Sequence, residues 1–493
     1  MIQYFNNLLP GFGAMTGAAP FAATKTLQNI YSGVDVWPGR GQYGDGGFCC
    51  YRAITHTAPL QLSTAIFAPG WTWESATEDP EKNWNTWWDN ERKLWLGPLK
   101  PGDVTPVPPS PEGPFKPMTA FFQALPPSNP SNAVFYTSFS PGVGYFWFVE
   151  GKKVLDTRHA GWTDIDKQSS IGNLTWPWPA PTWEGNKQNE TLPTGSTTLD
   201  MTDGYNGGNT LKLALTYTGS EPDDTVKSIW LPVQSLPVTT RESFEARVTY
   251  KTIVGSDVDL SAYIYAKSLS NEHDSASFAV GQVNTSHLSQ GWTQQTISFK
   301  LTSTSTGNVA LVAIGFLVNF KPDDPSTKVT FTLSLGQLAV YPTPPPHTVS
   351  VGMPSVINAN FALAAHVADT VEGVLTWDTA STFTPANFDV ENPESAIPAW
   401  RLQDTPAYRF PTFVYFNIYA ASLAHSTHVD PASAVFIGTT GLDGRANRLY
   451  VDRASLPAEW DKQGKIRFYI QGVTDRGEVL PWERCATVDM GKA

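Results

Sequence analysis

The sequence predicts a multidomain chain: a segment of (β/α) barrel over residues 1–150, then two antiparallel β-sandwiches over 160–341 and 347–493. Three observations lead there. Two short apolar runs near the start, Ile30–Trp37 and Leu62–Pro69, are each closed by proline and glycine, the pattern of strands buried on both faces. From about residue 160 the chain changes to many short alternating runs separated by Gly, Asn, Asp and Pro, which reads as antiparallel sheet. The stretch Tyr341-Pro342-Thr343-Pro344-Pro345-Pro346 is a stiff linker between the last two parts. At 493 residues the chain is also too long for a single core.

Taken in order, residues 1–29 are rich in Gly, Ala and Pro and carry no clean periodicity. The first strand, 30–37, ends at Pro38-Gly39, so its exit presents Asp35, Trp37 and Arg40. In a (β/α) barrel the C-terminal ends of the strands carry the binding and catalytic groups. Gln42 to Phe48 is a glycine-rich loop, either a plain surface connection or one whose backbone can approach a ligand or another loop closely. The second strand, 62–69, exits into Gly70-Trp71-Thr72-Trp73-Glu74, and two neighbouring strand ends therefore carry an acid and aromatics. Thr77-Glu78-Asp79-Pro80 has the look of a helix start. Trp84, Trp87, Trp88, Leu94 and Trp95 then recur at helical spacing, as the buried face of that helix. Residues 98–117 hold eight prolines, too many for regular structure, and read as an extended surface loop. Ala133–Phe139, followed by Ser140-Pro141-Gly142-Val143-Gly144, is read as a third strand of the barrel. Beyond it, Asp203–Leu211 resembles the strand entry of jelly-roll modules, with further strands at 211–215, 244–250 and 329–333. Gly373–Trp377, Phe413–Tyr419 and Ile466–Val473 have the spacing of a fibronectin type III-like sandwich, including an early-strand tryptophan.

Composition excludes several classes of partner. A net charge of -12 without clustered Lys or Arg argues against nucleic acid and anionic membrane, and no stretch approaches the length of a membrane span. Cys49, Cys50 and Cys485 imply no disulfide framework. With no charged and apolar leader at Met1–Asn7, they favour a reducing, cytosolic setting. Sequons at Asn173, Asn189 and Asn284 would be usable only if the chain were secreted. The 18 tryptophans are many for so few charges. Most suit large sandwich cores, and a few could stack on the apolar face of a pyranose.

The run Gly33-Val34-Asp35-Val36-Trp37 with Arg40 and Gly41–Gly47, followed by Ala65-Ile66-Phe67-Ala68-Pro69-Gly70-Trp71-Thr72-Trp73-Glu74, resembles the cytosolic-type endo-β-N-acetylglucosaminidases of glycoside hydrolase family 85. The resemblance implies a TIM barrel followed by β-sandwich domains, of which this chain would hold about three of eight barrel strands. It also implies cleavage of the chitobiose core of N-linked glycans or free oligosaccharides, with the substrate's own 2-acetamido oxygen as nucleophile and no cofactor or metal. In that family an Asn-x-Glu on an earlier strand supplies the acetamido partner and the acid/base. The single Asn-x-Glu here, Asn392-Pro393-Glu394, falls in the last sandwich and is taken as coincidence, so the chain is read as the C-terminal part of such an enzyme with no catalytic residue of its own assigned. The substrate-binding candidates are Asp35, Trp37, Arg40, Trp71 and Glu74. Asp35 could instead be a strand acid held by backbone donors, and Arg40 could pair with Asp35 or Asp45. Two rivals stay open: a retaining glycosidase using Asp35 and Glu74 about 5 Å apart, and a non-catalytic glycan-binding protein built on the sandwiches.

Overall fold

The computed structural model describes residues 28, 30–39, 46–75, 84–98, 103–122, 134–171, 179–184, 194–218, 226–254, 258–269, 276–304, 309–322, 328–343, 352–364, 372–381, 388–391, 399–402, 410–423, 430–442, 447–458, 460 and 465–490. The chain divides into two compact units, Met1–Leu125 and Pro126–Ala493.

In the first unit, β1 (Tyr31–Asp35) and β2 (Ser63–Phe67) pair in parallel, from Tyr31 opposite Ser63 to Asp35 opposite Phe67. The parallel pair needs a crossover, and α1 (Tyr51–Thr57) lies on it. A helical turn, α2 (Trp71–Glu74), follows β2, and α3 (Trp84–Trp95) comes next. Val34, Val36, Cys50, Ile54, Leu94 and Met118 form the core between them. The helix predicted from the tryptophan repeat is present. Leu94 is its most buried described side chain, with Trp95 packed beside it, whereas its expected start at 77–80 lies outside the described residues. The proline-rich loop also behaves as expected: residues 103–117 form no helix or strand. They are tied to α1 where the Tyr51 hydroxyl donates to the Gly113 carbonyl at 2.5 Å and Arg52 donates to the Pro108 carbonyl at 2.7 Å. Among the described residues this unit holds two parallel strands.

The second unit is mostly antiparallel sheet. Its largest sheet runs 276–280, 293–304, 243–254, 328–342, 210–218 and 194–200, with 284–287 beside 293–304 and Phe135–Thr137 beside 328–342. A four-stranded sheet of 258–268, 309–322, 227–239 and 182–184 contacts it through aromatic pairs, Tyr250 with Phe316 at 4.9 Å and Phe320 with both Tyr217 and Phe331. The Gln295 carboxamide oxygen of the larger sheet accepts the Ile264 N–H of the smaller at 3.1 Å. Leu211, Leu213, Leu215 and Tyr217 alternate inward along one strand, the period-2 pattern that marked this region in sequence. Toward the C-terminus a three-stranded sheet (355–363, 373–380, 448–451) and a four-stranded sheet (435–439, 413–422, 466–474, 486–490) share a core of Leu375, Trp377, Phe416, Ile418, Phe468 and Ile470. The early-strand Trp377 is buried there, edge-on to Phe416 at 5.0 Å.

One expectation is corrected. The strand at Ala133–Phe139 is not a third parallel barrel strand, because Phe135–Thr137 pairs antiparallel with Leu338–Val340 of the largest sheet. A short apolar run has the same appearance in either setting, and its partner lies about two hundred residues away in sequence. Just beyond it, the hairpin 146–149/152–156 turns through Glu150 and Gly151, both with positive φ (50° and 78°). A Cβ on Gly151 would lie 2.6 Å from the Trp292 ring, so only glycine lets the hairpin tip sit on that indole. The same hairpin places Trp147 and Val149 in a cluster with Tyr415, Tyr419, Phe436, Tyr469 and Val473 of the C-terminal sheet.

Candidate functional site

The two strand ends of the first unit build one rim. Along β1, Val34 and Val36 point into the core, so the intervening Asp35 faces the other way at the last paired position. Its Oδ1 accepts the Trp37 N–H at 2.9 Å, an Asx-type turn that starts the bend at Pro38-Gly39. The ladder continues one residue further, with Val36 N–H donating to Phe67 O at 2.9 Å. The chain then returns through Gly46 and Gly47, and Gly47 N–H donates to Val36 O at 2.5 Å. Both glycines are required by close approach. A Cβ on Gly46 would sit 2.4 Å from Pro38 Cα, and one on Gly47 would sit 2.5 Å from Trp71 Cζ2. The glycine-rich segment thus lets one strand exit press against the other.

On the β2 side, Ala68 takes a positive φ of 54° and turns the chain into α2. Trp71 is half-buried, edge-on to Phe48 at 5.2 Å, and Phe48 continues through Phe115 to Tyr51. Much of this indole therefore belongs to the wall of the core. Trp37 is likewise half-buried, and Glu74 is exposed at the end of α2. The exits of the paired strands carry Asp35 and Trp37 at the end of β1 and Trp71 and Glu74 after β2, while Arg40 lies outside the described residues, as does Asn392-Pro393-Glu394.

Sequence reasoning missed Glu91. It reads as one more charge on the surface of α3, yet it accepts the Thr72 hydroxyl at 2.8 Å and the Trp95 indole N–H at 2.7 Å. Burial raises its carboxyl above the usual range, against the pull of these two donors. Glu91 thereby ties α2, which carries Trp71 and Glu74, to α3. The available signal was the four-residue spacing from Glu91 to Trp95, one helical turn. Among the described residues no group of three or more His, Cys, Asp or Glu could hold a metal ion.

The described part is a β-α-β unit whose adjacent strand ends bear an acid and aromatics, joined in one chain to extensive antiparallel sheet. Residues 14–147 match the model of glycosyl hydrolase family 85. Cytosolic endo-beta-N-acetylglucosaminidase 2 of Arabidopsis thaliana is 32% identical over 143 residues, which is 29% of this chain and 16% of the relative. Cytosolic endo-beta-N-acetylglucosaminidase 1 of the same plant is 32% identical over 144 residues, with the same shares. The chain thus matches about a sixth of the length of these curated relatives. In fold, 96% of the chain is similar to 60% of the crystal structure of the glycoside hydrolase domain of Endo-D from Streptococcus pneumoniae R6, with a TM-score of 0.50 and 17% identity.

Proposed function

We propose that the chain is part of a family 85 endo-β-N-acetylglucosaminidase that cleaves the chitobiose core of N-linked glycans or free oligosaccharides. The observation that carries this reading is a coincidence in space: the family-matching segment, 14–147, contains both parallel strand ends and the rim made of Asp35, Trp37, Trp71 and Glu74. In this reading β1 and β2 are late strands of a TIM barrel, the large pair of sheets is a jelly-roll-like sandwich and the last pair is fibronectin type III-like. The rim binds the glycan: Asp35 accepts hydrogen bonds from sugar hydroxyls, Trp37 offers an indole face to a pyranose, and Trp71 and Glu74 close the opposite side, with Arg40 as a further contact. The acid/base and the acetamido partner come from an Asn-x-Glu that the rim does not contain, and no metal or cofactor takes part. The curated relatives are named as cytosolic, and no helix among the described residues is long and apolar enough to cross a membrane. We place the enzyme in the cytosol on the first of these grounds.

The test is glycan binding and release by the 493-residue chain, using a high-mannose glycopeptide. Binding that is weakened by Trp37→Ala, without release of oligosaccharide, is the expected result. Failure to bind the chitobiose-cored glycan while binding other sugars would overturn the substrate assignment, and release at an enzymatic rate would place the acid/base among residues of this chain.

A further inference from the structure

A second ligand site lies wholly within the Pro126–Ala493 unit. Between the hairpin tip at Glu150, the short turn Ser289–Gly291 and the C-terminal four-stranded sheet is a cleft of about 410 Å³, the size of a small-molecule site. Its sheet side is aromatic: Tyr419 lies edge-on to Trp482 at 4.8 Å and to Phe436 at 5.5 Å, and Trp482 is half-buried. The opposite side is polar, with Glu150, Gln290 and Lys153. Lys153 is engaged with Asp156 at 3.2 Å and with the Phe146 ring at 4.6 Å, and so is not held out toward a ligand.

Two features mark the cleft as a built site. Gln471, 3% exposed, lines it; its Nε2 donates to Leu480 O at 3.0 Å, while its Oε1 has no hydrogen-bond partner within the protein. A buried carboxamide oxygen left unpaired is costly and calls for a donor. In addition, the side chains reaching into the cleft from the two loops both sit on left-handed backbone, Glu150 at φ 50° and Gln290 at φ 57°. Glycine would relieve both positions. That the chain carries long polar side chains at two strained positions facing one cleft fits the tendency of such strain to collect at ligand sites.

We infer that this cleft binds a pyranose unit of a neutral sugar, the apolar face of the ring against Tyr419, Phe436 and Trp482 and its hydroxyls toward Gln471, Glu150 and Gln290. An aromatic wall facing carboxamides and a carboxylate suits a ring with one apolar face and a polar edge. The lining carries one carboxylate, Glu150, and two lysines, Lys152 and Lys153, of which Lys153 is already paired with Asp156, so the charges nearly balance and select against a strongly charged ligand. The site is independent of the β1–β2 rim and does not rest on the glycosidase reading.

The experiment titrates the full chain with mannose, N-acetylglucosamine, galactose and glucose separately, up to the tens of millimolar, by saturation-transfer NMR and tryptophan fluorescence. At least one sugar should give saturable binding. Glu150→Gly, which relieves the left-handed strain, should weaken it about three- to tenfold, the effect of losing one or two hydrogen bonds, with no loss of thermal stability. Trp482→Ala and Gln471→Leu should each weaken it at least as much. Saturation that Trp37→Ala abolishes while Glu150→Gly and Trp482→Ala leave it intact belongs to the β1–β2 rim and overturns this assignment, so that failure of this site and failure of the rim are told apart. Absence of saturation with all four sugars, or saturation that Glu150→Gly and Trp482→Ala leave untouched, would overturn the assignment.

Discussion

Replacing Trp147 with phenylalanine tests the contact that fastens the 146–156 hairpin to the C-terminal sheet. The indole is 1% exposed, its Nε1 donates to Asn417 Oδ1 at 3.2 Å, and its ring lies edge-on to Trp162 at 5.5 Å and to Tyr415 at 6.2 Å. Asn417 is fully buried and its Nδ2 has no hydrogen-bond partner in the protein, so the bond from Trp147 is what satisfies its amide oxygen. Phenylalanine keeps an aromatic ring but leaves that oxygen bare, at a cost of about 1–3 kcal/mol. The smaller ring also opens roughly 40 Å³, worth about 1 kcal/mol more. The sum is about 2–4 kcal/mol. Adding Asn417→Leu removes the stranded oxygen, so the double variant should be less destabilised than the two single variants added together, by about 1–2 kcal/mol. Urea unfolding followed by near-UV circular dichroism reads this as a lowered midpoint at unchanged slope. A Trp147→Phe variant within about 0.5 kcal/mol of the parent, or strict additivity in the double variant, would refute the reasoning.

Glu242, 8% exposed and with Oε2 unpartnered, has its carboxyl pushed by burial up to about 7 from an ordinary 4.5. The unfolded chain then gives up its proton first, so stability is highest below about pH 4.5, falls as pH rises toward 7 and levels off above it. Glu242→Gln should remove that slope and gain about 1–2 kcal/mol at pH 8 relative to pH 5, after allowance for solvent screening; equal effects at the two pH values in urea titrations would count against it. Thr72→Val, which takes one of two donors from Glu91, should cost about 1–2 kcal/mol in thermal unfolding and change the emission of Trp71; an unchanged melting temperature would show that α2 is held by other contacts. At the rim, Asp35→Asn and Trp37→Ala should each weaken binding of a chitobiose-cored glycan at least tenfold, about 1.4 kcal/mol, with little change in melting temperature. A variant that fails to fold would mark its residue as a structural one.

Local signals carried far in the first unit and less far in the second. The strands expected at 30–37 and 62–69 are observed at Tyr31–Asp35 and Ser63–Phe67, shorter at both ends because proline, glycine and the left-handed Ala68 stop the ladder early. The facing of Asp35 was legible because period-2 burial of Val34 and Val36 leaves it on the other face. Trp71 shows the limit of that reasoning, since the Phe48 ring that receives it, backed by Phe115, comes from a short turn with no pattern of its own. Glu91 was hidden for a related cause: its partners are a hydroxyl nineteen residues before it and an indole four after. The cleft at Gln471 was illegible, because its walls are drawn from three stretches near residues 150, 290 and 419–482. Pairing of Phe135–Thr137 with Leu338–Val340 is a choice among sheet edges that a three-residue strand does not encode.

That pairing has a practical meaning for anyone dissecting or recombining this protein. The family match ends at residue 147, inside the strand Phe146–Val149 and three residues before the hairpin tip that rests on Trp292. A fragment cut there would carry off the strand Phe135–Thr137 and leave Leu338–Val340 as an unpaired edge, a site for sticking to other chains. It would also divide Trp147 from Asn417. The end of the family match at residue 147 and the division between the compact units at residue 126 do not coincide here. Gene shuffling at residue 147 should give insoluble products, whereas a junction near residue 126 keeps every one of these partners on the same piece.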